Sequence, residues 1–90
     1  MKRKCSELKK DDQVVFRLFN GIYQKEIPNY GNVICVDLDR RKVAVCYLEG
    51  YRSEFADVPF EKMLGVYDPK GEYLDFDGYV SGRSALLIPE

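Results

Sequence analysis

From Asn32 to Leu48 the chain carries two runs rich in β-branched residues around a charged turn. The first is Asn32-Val33-Ile34-Cys35-Val36-Asp37-Leu38, the turn is Asp39-Arg40-Arg41, and the second run is Lys42-Val43-Ala44-Val45-Cys46-Tyr47-Leu48. Stiff β-branched side chains fit a pleated strand better than a helix. Two such runs across a short polar turn read as a β-hairpin. Alternation places Val43, Val45 and Tyr47 on one face of the second strand and Ala44, Cys46 and Leu48 on the other. Apolar residues on both faces predict strands covered on both sides, in a small wrapped barrel or beneath a second layer.

The rest of the chain extends this pattern. Residues 1–12, MKRKCSELKKDD, are polar and read as a flexible arm leading into one domain over 13–90. Val14 to Phe19 predicts a first strand, stopped by the turn dipeptide Asn20-Gly21. Ile22 to Asn29 reads as a loop. Glu49-Gly50 predicts a tight turn, and Tyr51 to Ala56 a shorter, half-exposed strand. In Val58-Pro59-Phe60-Glu61-Lys62-Met63-Leu64, Pro59 suits the first position of a helical or 3₁₀ turn, with Asp57 near enough to cap it. Gly65-Val66-Tyr67 begins a further strand. Asp68-Pro69-Lys70-Gly71 has type I turn chemistry, and Glu72 to Phe76 alternates as a strand. Ala85-Leu86-Leu87-Ile88 predicts a closing strand that docks on the core. The fold expected is all-β: a barrel or roll of five to seven antiparallel strands with one short helical or 3₁₀ turn and a C-terminal β extension.

Composition narrows the function classes. Hydrophobic residues make up 46% and charged residues 32%, a balance that supports a folded core rather than disorder. Fourteen Lys and Arg against fifteen Asp and Glu leave a net charge of -1, so no overall field draws the chain to nucleic acid or an anionic membrane. There is no histidine, which removes the usual imidazole acid, base or zinc ligand and makes a non-enzyme the expectation. An odd set of cysteines, Cys5, Cys35 and Cys46, lacks CxxC spacing and points to a reducing compartment, the cytoplasm. No apolar run long enough to span a bilayer is present, so no membrane partner is expected. Neither a metal nor a cofactor is expected. Cys35 and Cys46 could act as a redox or metal pair only by facing each other across the hairpin. The acidic group Asp68, Glu72, Asp75 and Asp77 lacks the spacing of a calcium loop and reads as turn and edge-strand solubilisation.

Tyr30-Gly31-Asn32-Val33, Asp37, Lys42-Val43-Ala44-Val45, Tyr47, Gly50 and Pro59-Phe60-Glu61-Lys62-Met63 together resemble the middle of a small SH3-like barrel of the Tudor or KOW kind. The shared features are a Gly-x-Val strand opening, a charged hairpin, a Val-x-Val strand and a short 3₁₀ turn before the last barrel strand. The resemblance covers roughly residues 13–67. It implies a binding module: Tudor-like barrels hold methylated Lys or Arg in an aromatic cage, and KOW-like barrels contact RNA or ribosomal and transcription proteins. In such a barrel the first and third inter-strand loops meet at one end.

That arrangement would bring Tyr23 and Tyr30 towards Tyr47 and Tyr51. The four rings, with Glu49 adding charge, form the first candidate site, a tyrosine-rich barrel end that grips a peptide or protein surface. Core and rim packing of Phe19, Tyr47, Phe55 and the tyrosines explains the same residues without a ligand. An alternative is a nucleic-acid surface built on the hairpin turn Arg40, Arg41 and Lys42, which a solvated turn explains equally. A third reading is self-association as a homodimer, because two-faced apolar strands exceed what so short a chain can cover.

Overall fold

The computed structural model describes residues 2–66 and 85–90. Seven strands lie in it: β1 (Lys2–Lys4), β2 (Gln13–Asn20), β3 (Lys25–Asp37), β4 (Lys42–Glu49), β5 (Arg52–Pro59), β6 (Met63–Val66) and β7 (Ala85–Ile88). Two 3₁₀ turns, Cys5–Glu7 and Phe60–Lys62, complete the elements. The strands form one sheet in the order β1-β7-β6-β2-β3-β4-β5. All ladders are antiparallel except the one between β1 and β7. The all-β expectation holds. The sheet is not closed: β1 and β5 are its edges, and no ladder joins them among the described residues.

Three hairpins build the centre. The first two use one device: a four-residue loop that begins after an Asx residue and ends on a residue in the left-handed region. Asn20 Oδ1 accepts the Ile22 and Tyr23 N–H groups at 2.9 and 3.2 Å, and Gln24 closes that loop at φ 56°. Asp37 Oδ1 accepts the Arg40 N–H at 3.1 Å, and Arg41 closes the second loop at φ 56°. These side-chain acceptors replace backbone partners that a tight loop cannot supply. The third hairpin pairs Glu49 with Arg52 across the two-residue loop Gly50-Tyr51. Gly50 leads that loop at φ +64°, as a primed hairpin turn requires.

The main core cluster lies on one face, and Val15 on the other face of β2 is also fully buried. Val14 and Phe16 of β2, Val33 of β3, Val43 and Val45 of β4, Val58 of β5, Phe60, then Met63 and Val66 of β6 pack together with Leu87 of β7. Each fully buried large side chain contributes on the order of 2 kcal/mol of transfer free energy. Alternation along β3 is interrupted: Val33 pairs with Val45 and Cys35 with Ala44, so Ile34 is an extra residue. This bulge lets Val33 and Val36, three apart, both turn to the core.

Several expectations are corrected. The segment read as an arm holds β1 and a 3₁₀ turn that buries Cys5, and the following Leu8 joins the same core. Its polar composition hid these two apolar positions, which lie three residues apart and so share a face of the turn. The stretch read as a loop becomes strand from Lys25 onward, although it contains Pro28. Proline is tolerated there because β3 pairs with β4 only over residues 31–37, leaving one side of its first half unpaired among the described residues. Asp57 lies within β5 opposite Ala44 and caps nothing; Pro59 takes the N-cap position with no side-chain hydrogen bond. The faces of β4 are not both covered. Val43 and Val45 are buried, but Leu48 on the other face is 70% exposed. The turn at 68–71, the strand at 72–76 and the acidic group there lie outside the described residues.

Candidate functional site

β3 bridges two diverging hairpins. It pairs with β2 over residues 25–32 and with β4 over 31–37. Beyond that crossing the β2–β3 hairpin projects without β4 beside it, and the tip of the β4–β5 hairpin projects without β3. A cleft of about 340 Å³ opens there, lined by Leu18, Phe19, Asn20, Gly21, Ile22, Asn29, Tyr47 and Glu49.

Tyr47 anchors one wall. Its ring meets Phe16 edge to face, with centroids 5.9 Å apart and planes at 76°, so the core fixes its position. Burial is the main cause that holds its phenol above the ordinary tyrosine pKa, and the carboxylates of Glu49 and Glu54 add to it. Glu54 lies directly across from Tyr47 on β5, and its carboxylate is 3.8 Å from Arg52 Nε. The wall is thus apolar at its base and acidic at its rim. On the facing wall lie Leu18 and the loop capped by Asn20, where Ile22 is 88% exposed; Phe19 alternates with Leu18 and turns its ring to the other face of β2.

The structure brings together part of the expected tyrosine group. Tyr47 and Glu49 line the cleft. Tyr23 and Tyr51 are exposed on the two hairpin tips beside it but do not line it. Tyr30 stands opposite Val15 on the other face of β3 and does not join the group. Phe19 and Phe55, read as core, are both mostly exposed. Leu18, Asn20, Ile22 and Asn29 were not singled out from the sequence. A large aliphatic residue after a turn dipeptide equally suits the start of a returning strand, so Ile22 carried no distinctive signal.

The basic turn is spread over different tasks. Arg40 pairs with Asp37 at 3.8 Å and is otherwise exposed. Arg41 places its guanidinium carbon 5.1 Å from the Phe60 ring centroid, pairs with Glu61 at 3.9 Å and donates to the Pro89 carbonyl. Lys42 is exposed at the end of β4, opposite Asp37 and Pro59. One of the three is therefore tied into the fold, and acidic partners offset the charge of Arg40 and Arg41.

The cysteines are all free: Cys5 buried, Cys35 exposed and Cys46 half-buried. Cys35 stands opposite Ala44, whereas Cys46 stands opposite Asn32 and Phe55, so the two thiols do not face each other. Among the described residues no group of three His, Cys, Asp or Glu side chains is placed to hold a metal, and no helix is long and apolar enough to cross a membrane. Comparison with protein-family models, with curated proteins and with solved structures gives no match to this chain.

Proposed function

We propose that this chain is a non-catalytic binding module that recognises a peptide or protein surface through the cleft between its two projecting hairpins. The observation that carries the reading is the lining of that cleft: exposed Ile22 and half-buried Leu18 across from Tyr47, with Glu49 at the rim. Apolar walls supply affinity, and a single rim carboxylate favours an occupant that presents a basic group. An SH3-like barrel is the architecture we assign. Its support is the run β2 to β5 in consecutive antiparallel order, a 3₁₀ turn after β5, and a β6 that returns to pair with β2. In this reading β7 and β1 are additions on the β6 side, away from the cleft.

The test is selection of a random peptide library on the full chain, followed by binding of the enriched peptides to variants. Ile22→Ser and Glu49→Lys alter exposed side chains and leave the core intact. Each is expected to weaken enriched peptides roughly tenfold or more, the scale of a contact at the centre of an interface. Salt should weaken binding modestly through the Glu49 contact in the parent chain and have less effect in Glu49→Lys, far short of a phosphate-driven slope. Peptides that bind both variants as well as the parent chain would refute the cleft. RNA binding that falls steeply with salt and is lost in Arg40→Ala would favour the basic turn instead.

A further inference from the structure

The two edges of the sheet differ in kind. β1 is three residues long and all basic, Lys2-Arg3-Lys4, the short and charged form that deters pairing with another chain. β5 is eight residues long and pairs with β4 without a register shift. It is bonded on one side only among the described residues, and Phe55 near its middle is 70% exposed. Phe55 lies across from Cys46 on the outer face, and Leu48, two residues along β4, is also 70% exposed. Among the described residues this edge is open, regular and apolar at its centre.

We propose that β5 pairs antiparallel with β5 of a second copy, forming a symmetric dimer with Phe55 on the twofold axis. The sequence of the strand selects both the partner and the register. An axis perpendicular to the sheet keeps the outer faces of the two copies on one side, so the register must centre on a residue. Centring on Glu54 or Asp57 opposes a carboxylate to its own copy, and centring on Ala56 sets Phe55 against Asp57. Centring on Ser53 leaves only residues 52–54 of each strand paired. With Phe55 at the centre, residues 52–58 of both strands pair, the two rings meet, and Ser53 stands opposite Asp57, where its hydroxyl can donate to the carboxylate. Glu54 then faces Ala56 and Arg52 faces Val58, so no like charges are opposed. The charges on this edge act as a register filter. An isologous contact of this kind closes after two copies and leaves the cleft on the other face open.

The test uses the full chain in light scattering and sedimentation across a range of concentrations. The parent chain is expected to be a dimer, and Phe55→Lys a monomer with an unchanged circular dichroism spectrum. For register, Phe55→Cys with Cys35→Ser and Cys46→Ser should cross-link to a covalent dimer on mild oxidation. In the same background Arg52→Cys should not, because its two copies would lie about 20 Å apart along the strands. A parent chain that stays monomeric overturns the proposal. So does a dimer that survives Phe55→Lys, or one in which Arg52→Cys cross-links as readily as Phe55→Cys.

Discussion

Gly31 lies so close to the backbone of β4 that a Cβ built on it would sit 2.2 Å from the carbonyl oxygen of Cys46. Here β3 is paired on both sides at once, with Val14 of β2 and Tyr47 of β4. The contact is with backbone, so no side-chain rotation relieves it. Gly31→Ala must push the two strands apart at the point where the two hairpins diverge. The expected cost is about 3 kcal/mol, the upper end for overpacking. Urea unfolding checks it: the midpoint should fall while the slope stays unchanged.

Arg41 links the second hairpin turn to the C-terminal segment. Its guanidinium lies over Phe60, and its hydrogen bond reaches the Pro89 carbonyl. The neighbouring backbone fixes the same junction, since the Phe60 N–H donates to the Arg41 carbonyl at 3.0 Å and the Ser6 N–H to the Glu90 carbonyl at 2.7 Å. Arg41→Lys keeps the charge but loses the planar group that stacks and donates together. It should cost about 1 kcal/mol. Amide hydrogen exchange at Ser6 should quicken more than exchange at Val45, which lies in the middle of β4. Equal effects at both sites would show that Arg41 does not anchor this end.

The sequence made the central hairpins legible because turn chemistry and β-branching agree there. Val43 and Val45 face inward, as alternation requires. Errors arose where a local rule met a tertiary exception. Pro28 argued for a loop, yet a strand left unpaired on one side among the described residues accommodates it. Cys5 and Leu8 were obscured by six lysine, arginine and acidic neighbours within residues 2–10, although two apolar residues suffice to dock a 3₁₀ turn. The cleft was half legible. Tyr47 and Glu49 were found because aromatic and acidic residues near a turn attract notice, whereas Tyr30 faced the wrong way once the register was known. Phe55 looked like core because composition cannot distinguish the covered face of an edge strand from the open one.

Two other glycines separate conformational from steric effects. Gly50 occupies φ +64° with nothing within 4 Å of a built Cβ, whereas Gly21 is equally open and has no such backbone demand. Gly50→Ala should therefore destabilise by about 1 kcal/mol, the cost of holding an L-residue in the left-handed region. Gly21→Ala should be neutral or should stabilise by up to about 1 kcal/mol, since it restricts the unfolded chain. Thermal unfolding of both variants side by side decides this, and a larger loss at Gly21 would contradict it.

Cys5 gives the fold a dependence on alkaline pH. Burial pushes its thiol up from 9.0 to about 11, with Arg41 opposing the shift and Glu61 adding to it. The thiol also lies 3.7 Å from the Phe60 carbonyl, which it can approach only as a protonated donor. Below about pH 9 both the folded and unfolded chains keep the proton, so stability is insensitive to this group. Between about 9 and about 11 the unfolded chain loses the proton while the folded chain retains it, and stability falls with rising pH. Tyr47 acts in the same direction from its ordinary value of 10.0, so its contribution begins later. Cys5→Ala should therefore remove the first part of the decline and leave the part that begins near 10. Melting temperatures of the parent and variant from neutral to alkaline pH test this, with parallel curves as the contrary result. Alkylation followed by mass spectrometry gives a second check: exposed Cys35 should be modified in the native chain, half-buried Cys46 more slowly, and Cys5 only on unfolding.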